Sequence, residues 1–171
     1  MDTAELARRI KDAAYLEGDF LLRSGQRSNY YLDKYLFESQ PEILAELARR
    51  LAAYADDADL IAGAALGAVS LAAATSMAAG KRFVIVRKKT KDYATSKLIE
   101  GPDVAGRRVL LVEDIGTTAG AALAAARTLA EAGATVTAMV FVIDRMQGAR
   151  ENVEKEGLTF HALLTKNDLG I

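Results

Sequence analysis

No cysteine occurs anywhere in the chain. Its absence excludes disulfides, thiolate catalysis and cysteine-ligated metal sites, and it permits a reducing compartment. Histidine is almost as scarce. The single one, His161, lies near the C-terminus on an expected strand and is read as structural, so no Ser-His-Asp set is expected. The net charge is −1, a balance without the excess of cations that marks nucleic-acid or anionic-membrane binders. No apolar run approaches the roughly 20 residues needed to span a bilayer. The start, Met1-Asp2-Thr3-Ala4-Glu5, is acidic and leads into an amphipathic pattern, unlike a signal peptide. The expectation is therefore a cytoplasmic protein without nucleic-acid or membrane partners. Two common phosphate-binding signatures are also missing: neither a Gly-Lys-Thr/Ser loop nor Gly-x-Gly-x-x-Gly is present.

What is present suits a soluble globular protein. Half of the 171 residues are hydrophobic and a quarter are charged, enough to bury a sizeable core in one domain spanning 1–171. The periodicity predicts helices over 3–16, 41–55, 67–79, 121–132 and 148–156. Strands are expected over 20–23, 30–33, 60–64, 83–86, 109–112, 135–143 and 160–164. Residues 88–99 have no clean period and read as a loop. Strands alternating with helices predict an α/β fold around a parallel sheet.

The most informative stretch is Arg108-Val109-Leu110-Leu111-Val112-Glu113-Asp114-Ile115-Gly116-Thr117-Thr118-Ala119-Gly120. A run of four apolar residues reads as a strand buried on both faces. It ends in two adjacent carboxylates, at the place where open α/β sheets bind ligands. The Thr-Thr-Ala-Gly turn offers backbone N–H groups and two hydroxyls at the start of the next helix, a ready phosphate site. Carboxylates beside a phosphate cradle suit a ligand that carries sugar hydroxyls and a phosphate together. A strand that merely ends in acids, followed by threonine caps, would give the same letters.

Three further segments carry chemistry. Arg87-Lys88-Lys89-Thr90-Lys91-Asp92-Tyr93-Ala94-Thr95-Ser96-Lys97 holds five cations and one acid. Alone it is equally a solvated surface loop. Beside the acid pair it reads as a clamp that closes over a pyrophosphate and neutralises charge as it leaves. Leu22-Arg23-Ser24-Gly25-Gln26-Arg27-Ser28-Asn29-Tyr30-Tyr31-Leu32-Asp33 places a cation and two tyrosines around a turn, suited to a flat anionic ring or simply to strand packing. Asp144-Arg145 puts an arginine just past a buried strand.

Together these segments resemble the type I phosphoribosyltransferases and, among them, the orotate phosphoribosyltransferase family. Residues 108–120 resemble the family's signature for phosphoribosyl diphosphate (PRPP). Arg87-Lys88…Lys91-Asp92…Lys97-Leu98-Ile99-Glu100-Gly101 resembles its catalytic loop. Leu22-Arg23-Ser24-Gly25…Ser28…Tyr30-Tyr31…Asp33 resembles its N-terminal substrate segment, and Asp144-Arg145…Gly148-Ala149-Arg150-Glu151-Asn152 its late strand and helix. The match runs in order from about Gly18 to Leu169.

The resemblance implies a central, mostly parallel sheet flanked by helices, with a small N-terminal hood. It implies transfer of the phosphoribosyl group of PRPP to orotate, giving orotidine 5′-monophosphate and pyrophosphate in pyrimidine nucleotide synthesis. Thr117, Thr118, Ala119 and Gly120 would bind the 5-phosphate, and Ile115 and Gly116 before them would also belong to the PRPP-binding segment. Glu113 and Asp114 would face the ribose hydroxyls, and Arg87, Lys88 and Lys91 would bind pyrophosphate. Lys88, Lys91 and Asp114 would be the catalytic residues. Arg23, Tyr31, Thr117 and Arg145 would surround orotate. Ala65-Leu66-Gly67 would form a turn near the pyrophosphate. Mg²⁺ would be held mainly by PRPP oxygens. A homodimer that shares the 88–99 loop between sites would let Lys88 and Lys91 act in trans. Three positions depart from the pattern: Ala119 stands for a glycine, Tyr93-Ala94 for His-Gly, and Leu66 for a lysine of some relatives. A Cβ at 119 disfavours a positive φ. Two alternatives remain at this level: a transferase of the same fold for another base, and a PRPP-binding regulator without turnover. The latter would need a nucleic-acid surface that the charge balance does not supply.

Overall fold

A computed structural model describes residues 1–21, 25, 27–88 and 97–171. In chain order the elements are α1 (Thr3–Ala14), β1 (Tyr15–Leu21), β2 (Arg27–Leu32), α2 (Lys34–Glu38), α3 (Pro41–Ala52), β3 (Leu60–Ala64) and α4 (Val69–Ala79). There follow β4 (Phe83–Val86), β5 (Ile99–Glu100), β6 (Arg108–Gly116), α5 (Gly120–Glu131), β7 (Thr135–Asp144), α6 (Ala149–Lys155) and β8 (Phe160–Thr165). Local chemistry starts and stops them. Asp2 caps α1 by accepting the Glu5 N–H at 2.8 Å. Pro41 opens α3, where its missing N–H costs nothing. Gly80 ends α4 in the left-handed conformation.

Six strands form one sheet in the order β5-β4-β3-β6-β7-β8. β3, β4, β6, β7 and β8 run parallel, and β5 adds an antiparallel edge. From β3 the chain steps outward to β4, then returns to the other side of β3 as β6. That reversal leaves a crevice beyond the carboxyl ends of β3 and β6, the switch point where open α/β sheets take ligands. β1 and β2 pair separately as an antiparallel ribbon, the N-terminal hood.

The sheet is buried on both faces. Leu110 and Val112 point into a core shared with α1, α3 and α4 through Leu6, Ile10, Leu47, Leu51 and Leu71. Val109 and Leu111 point the other way, towards Ala122, Ala126 and Leu129 of α5 and Val153 of α6. All four β6 residues are fully buried. α4 lies close against β3, since a Cβ on Gly63 would come within 2.4 Å of the Ala68 carbonyl oxygen.

Several boundaries differ from the sequence expectation. β6 runs on through the acid pair to Gly116 rather than ending at residue 112, because its pairing with β7 continues that far. The 3–16 helix stops at Ala14, and Tyr15 already belongs to β1, so the first strand begins well before residue 20. Asp33 does not end a strand; it caps α2, a five-residue helix with no room for a hydrophobic period. α4 begins at Val69, because residues 65–68 form the turn after β3. β5, two residues long within the expected 88–99 loop and just past it, is held by pairing with β4 rather than by its own pattern.

Candidate active site

The acid pair lies within β6, whose pairing with β7 continues through Glu113 to Gly116. Adjacent strand residues face opposite ways, so the two carboxylates have different surroundings. The Lys34 ammonium at the start of α2 lies 2.6 Å from Asp114 Oδ2. Burial alone would lower the lysine pKa; the hydrogen bond and charge of Asp114 and the charge of Glu113 outweigh it, and the net shift is upward. Glu113 is pushed well above the ordinary carboxylate range, first by burial and then by the Asp114 charge. Asp114 thus has the cation, and Glu113 is the member held towards the neutral form.

Behind them stands Glu38, at the end of α2 and buried. Its Oε2 accepts the Ser70 hydroxyl, while Oε1 has no partner among the described residues. Burial raises this carboxyl to about 7, helped by Asp114 and opposed by Ser70 and Lys34. A carboxyl whose folded pKa lies above its unfolded value binds more protons in the native state. Its contribution to stability is full below about pH 4.5 and is lost as pH rises towards 7. Glu38→Gln is therefore expected to flatten this slope and to stabilise the protein at pH 8 by about 1–3 kcal/mol. Denaturant melts of both proteins at pH 5 and pH 8 check this. An equal loss of stability at both pH values would contradict it.

The turn after β6 forms the other wall. Thr117, Thr118 and Gly120 are exposed, and Ala119 is buried. Asn152 donates to the Thr118 carbonyl at 3.0 Å, tying the turn to α6. Among the described residues no side chain caps α5, and its first residues, Gly120 and Ala121, line the cleft, which leaves N–H groups for an anion there. Ala119 adopts φ 61° despite its Cβ, a conformation that costs a non-glycine residue about 1–2 kcal/mol. The expected conflict is thus settled in favour of the turn geometry.

A cleft of about 250 Å³ lies between these parts. Its lining includes Lys34, Gly67, Lys88, Glu113, Asp114, Thr117 and Ala119. The 65–68 turn passes so close to the ion pair that a Cβ on Gly67 would meet Asp114 Oδ2 at 2.2 Å and Lys34 Nζ at 2.4 Å. Ala65 and Leu66, joined by a cis peptide bond, border both this cleft and a shallower depression lined by Arg87 and Lys88. Arg87 also lies 3.9 Å from Glu100.

Arg145 follows β7 directly, and its N–H donates to the Gly116 carbonyl at 2.8 Å. Its guanidinium donates to the Tyr30 hydroxyl and lies 5.0 Å from the centre of that ring. Tyr30, not Tyr31, is the tyrosine that meets Arg145. Strand alternation turns Tyr31 to the opposite face of β2, where it packs on Phe20 and is 41% exposed. Arg23 and Lys91, with Tyr93 and Ala94, lie outside the described residues. His161 packs against the Tyr54 ring at 4.8 Å, in keeping with a structural role.

The structure thus brings Glu113, Asp114, Thr117, Ala119, Gly120 and Lys88 around one cleft, with Ile115 in its wall and Gly116 beneath the turn. Sequence reasoning did not single out the contacts of Lys34 with Asp114, of Glu38 with Ser70 or of Tyr30 with Arg145. A signal for Lys34 existed in Asp33, whose capping side chain starts a helix there. Nothing local points from Lys34 to Asp114.

A phosphoribosyl transferase domain model matches residues 37–161. The orotate phosphoribosyltransferase of Methanocella arvoryzae is 44% identical over 171 residues, covering 99% of this chain and 97% of that protein. That of a Nocardioides species is 46% identical, covering 97% and 93%. The Mycobacterium tuberculosis orotate phosphoribosyltransferase, solved in complex with 5-phospho-α-D-ribosyl 1-diphosphate, superposes with a TM-score of 0.85 at 33% identity over the full length of both chains. With the family model over most of the chain and relatives of this identity along nearly its whole length, the chain belongs to the orotate phosphoribosyltransferase family.

Proposed function

We propose that the protein joins orotate to PRPP, forming orotidine 5′-monophosphate and pyrophosphate. The observation that carries this is the juxtaposition at the switch point. One cleft holds the Asp114 carboxylate and the start of α5, and Arg145 is tied by its N–H to the Gly116 carbonyl at the base of the 117–120 turn. A molecule with a 5-phosphate on the 117–120 turn has its ribose hydroxyls near Asp114. Its diphosphate then lies towards the 65–68 turn and Lys88.

In the reaction the bond from the anomeric carbon to the diphosphate oxygen breaks, and its electron pair leaves with pyrophosphate. The attacking ring nitrogen of orotate gives up its proton to solvent and supplies the pair for the new bond. No protein nucleophile is needed. The chain's work is to position the two substrates, to stabilise charge on the leaving group with Lys88 and Lys91, and to exclude water from a cationic sugar. Magnesium neutralises diphosphate charge when bound. Among the described residues no three His, Cys, Asp or Glu side chains converge on one point. Asp114 is occupied by Lys34, and Glu113 is buried and held towards neutrality. That donor set suits an ion carried mainly by substrate oxygens and water. No described helix is long and apolar enough to cross a membrane.

We further read the active unit as a homodimer whose 88–99 loop serves the neighbouring site. The resemblance of that loop to the family's catalytic loop supports this. One turnover assay with PRPP and magnesium tests both readings. Orotate should be consumed while uracil and purine bases are not; turnover on another base, or PRPP binding without turnover, would select one of the alternatives. In the same assay, inactive Lys91→Ala and inactive Asp114→Asn proteins should regain activity on mixing. A mixture of confirmed dimers that stays inactive would place the loop in its own subunit's site.

A further inference from the structure

Among the described residues lining the main cleft, the cations are Lys34 and Lys88. Lys88 is exposed. Lys34 is half-buried and reaches the cleft from α2, outside every segment that carries the family resemblance to PRPP. Its ammonium lies between two walls, 2.6 Å from Asp114 and so near the 65–68 turn that only glycine fits at position 67. An ammonium has three N–H donors. Asp114 Oδ2 lies within reach of one of them, and Lys34 itself lines the cleft.

The chemistry of the donor substrate says what such a cation would meet. In a ribose 1-diphosphate, the diphosphate and the 2-hydroxyl sit on adjacent carbons. If Asp114 faces the ribose hydroxyls, an ammonium beside Asp114 is within a few ångströms of diphosphate oxygens. The ribose hydroxyls can replace the lysine as partners of Asp114, because they are donors too. The lysine then needs a new acceptor, and the diphosphate is the anion that arrives with the same molecule. Resting on the reading that this cleft takes PRPP, we propose that Lys34 is a diphosphate-binding residue: it neutralises Asp114 in the empty site and passes to the diphosphate when ribose takes Asp114.

The raised pKa of Lys34 keeps it cationic for both partners. Glu38, four residues on and raised to about 7, stands behind the pair and competes little for the ammonium while it is protonated.

Calorimetry with three ligands in the presence of magnesium tests this on the full chain: PRPP, inorganic pyrophosphate and ribose 5-phosphate. Lys34→Met should weaken pyrophosphate and PRPP by about tenfold or more, as loss of a charged partner does. Ribose 5-phosphate should bind within about twofold of wild type or more tightly, since Asp114 no longer has to release a lysine. Unchanged pyrophosphate affinity would overturn the proposal. So would an equal loss for all three ligands, which is what a merely structural Lys34 would give. If Lys34→Met does not fold, Lys34→Met/Asp114→Asn removes both charges and is compared with Asp114→Asn, with the same expected loss for pyrophosphate. Wild-type protein that binds no PRPP would overturn the functional reading itself. Wild-type binding matched by the variant would overturn the lysine assignment alone.

Discussion

Arg145→Ala is expected to lose most turnover on orotate while leaving PRPP affinity near its wild-type value. Arg145 is only 8% exposed, and its position is fixed twice. Its backbone N–H bonds to the Gly116 carbonyl, at the base of the phosphate turn. Its guanidinium lies on Tyr30 and donates to that hydroxyl. Tyr30 in turn stacks on Tyr15 at 5.4 Å, so the hood ribbon holds the arginine from above. The buried Nε donor has no partner among the described residues. A buried donor without an acceptor is costly, and a planar carboxylate is the acceptor that an arginine fork fits best. Orotate has one; uracil does not. Removing one member of a desolvated charge pair costs about 2–5 kcal/mol, roughly thirtyfold to several thousandfold in kcat/KM. Steady-state kinetics on orotate and uracil, with PRPP affinity measured separately, checks the result. A wild-type-like Arg145→Ala, or equal rates on both bases, would refute the substrate assignment and leave the fold untouched.

The contrast between Arg145 and Lys34 shows what a sequence makes legible here. Arg145 follows a long apolar strand, and strand ends in parallel sheets face ligands. Its place could be read from a few neighbouring letters. The same holds for residues 108–120, where a two-sided apolar run, two acids and a helix start are consecutive. Lys34 gives no such signal. Its partner is distant in the chain, and the contact exists because α2 crosses the end of β6 and the backbone at Gly67 leaves room for the pair. Glu38 was illegible for the same reason: it meets Ser70 of α4 only in three dimensions. The tyrosine pair illustrates a smaller limit. Strand alternation dictates that Tyr30 and Tyr31 face apart, but not which of them faces the site. The register with β1 and the position of Arg145 decide that. Ala119 marks the opposite case. Local preference argues against a positive φ there, yet the demands of the β6–α5 turn prevail.

The two adjacent acids of β6 should respond unequally to neutralisation. Asp114→Asn keeps the shape of the side chain and removes the charge that faces Lys34 and, on the reading above, the ribose hydroxyls. Hydrogen bonds to a charged group contribute about 1.5–3 kcal/mol, so PRPP affinity should fall by roughly tenfold to more than a hundredfold. Glu113→Gln should do far less. Burial and the Asp114 charge already hold Glu113 towards its neutral form, and glutamine resembles that form. The sign of its effect on stability also follows. A carboxyl with a raised folded pKa opposes folding as pH rises, so Glu113→Gln should gain stability at alkaline pH and gain nothing at acid pH. The double variant should therefore bind PRPP about as weakly as Asp114→Asn alone, while remaining folded. Calorimetry on the two single variants and the double, with thermal melts at pH 5 and pH 8, separates these outcomes. Unchanged PRPP affinity in Asp114→Asn would remove the ribose assignment. A loss in Glu113→Gln as large as in Asp114→Asn would mean that Glu113 carries its charge at neutral pH, and that the burial argument for its neutral form is wrong.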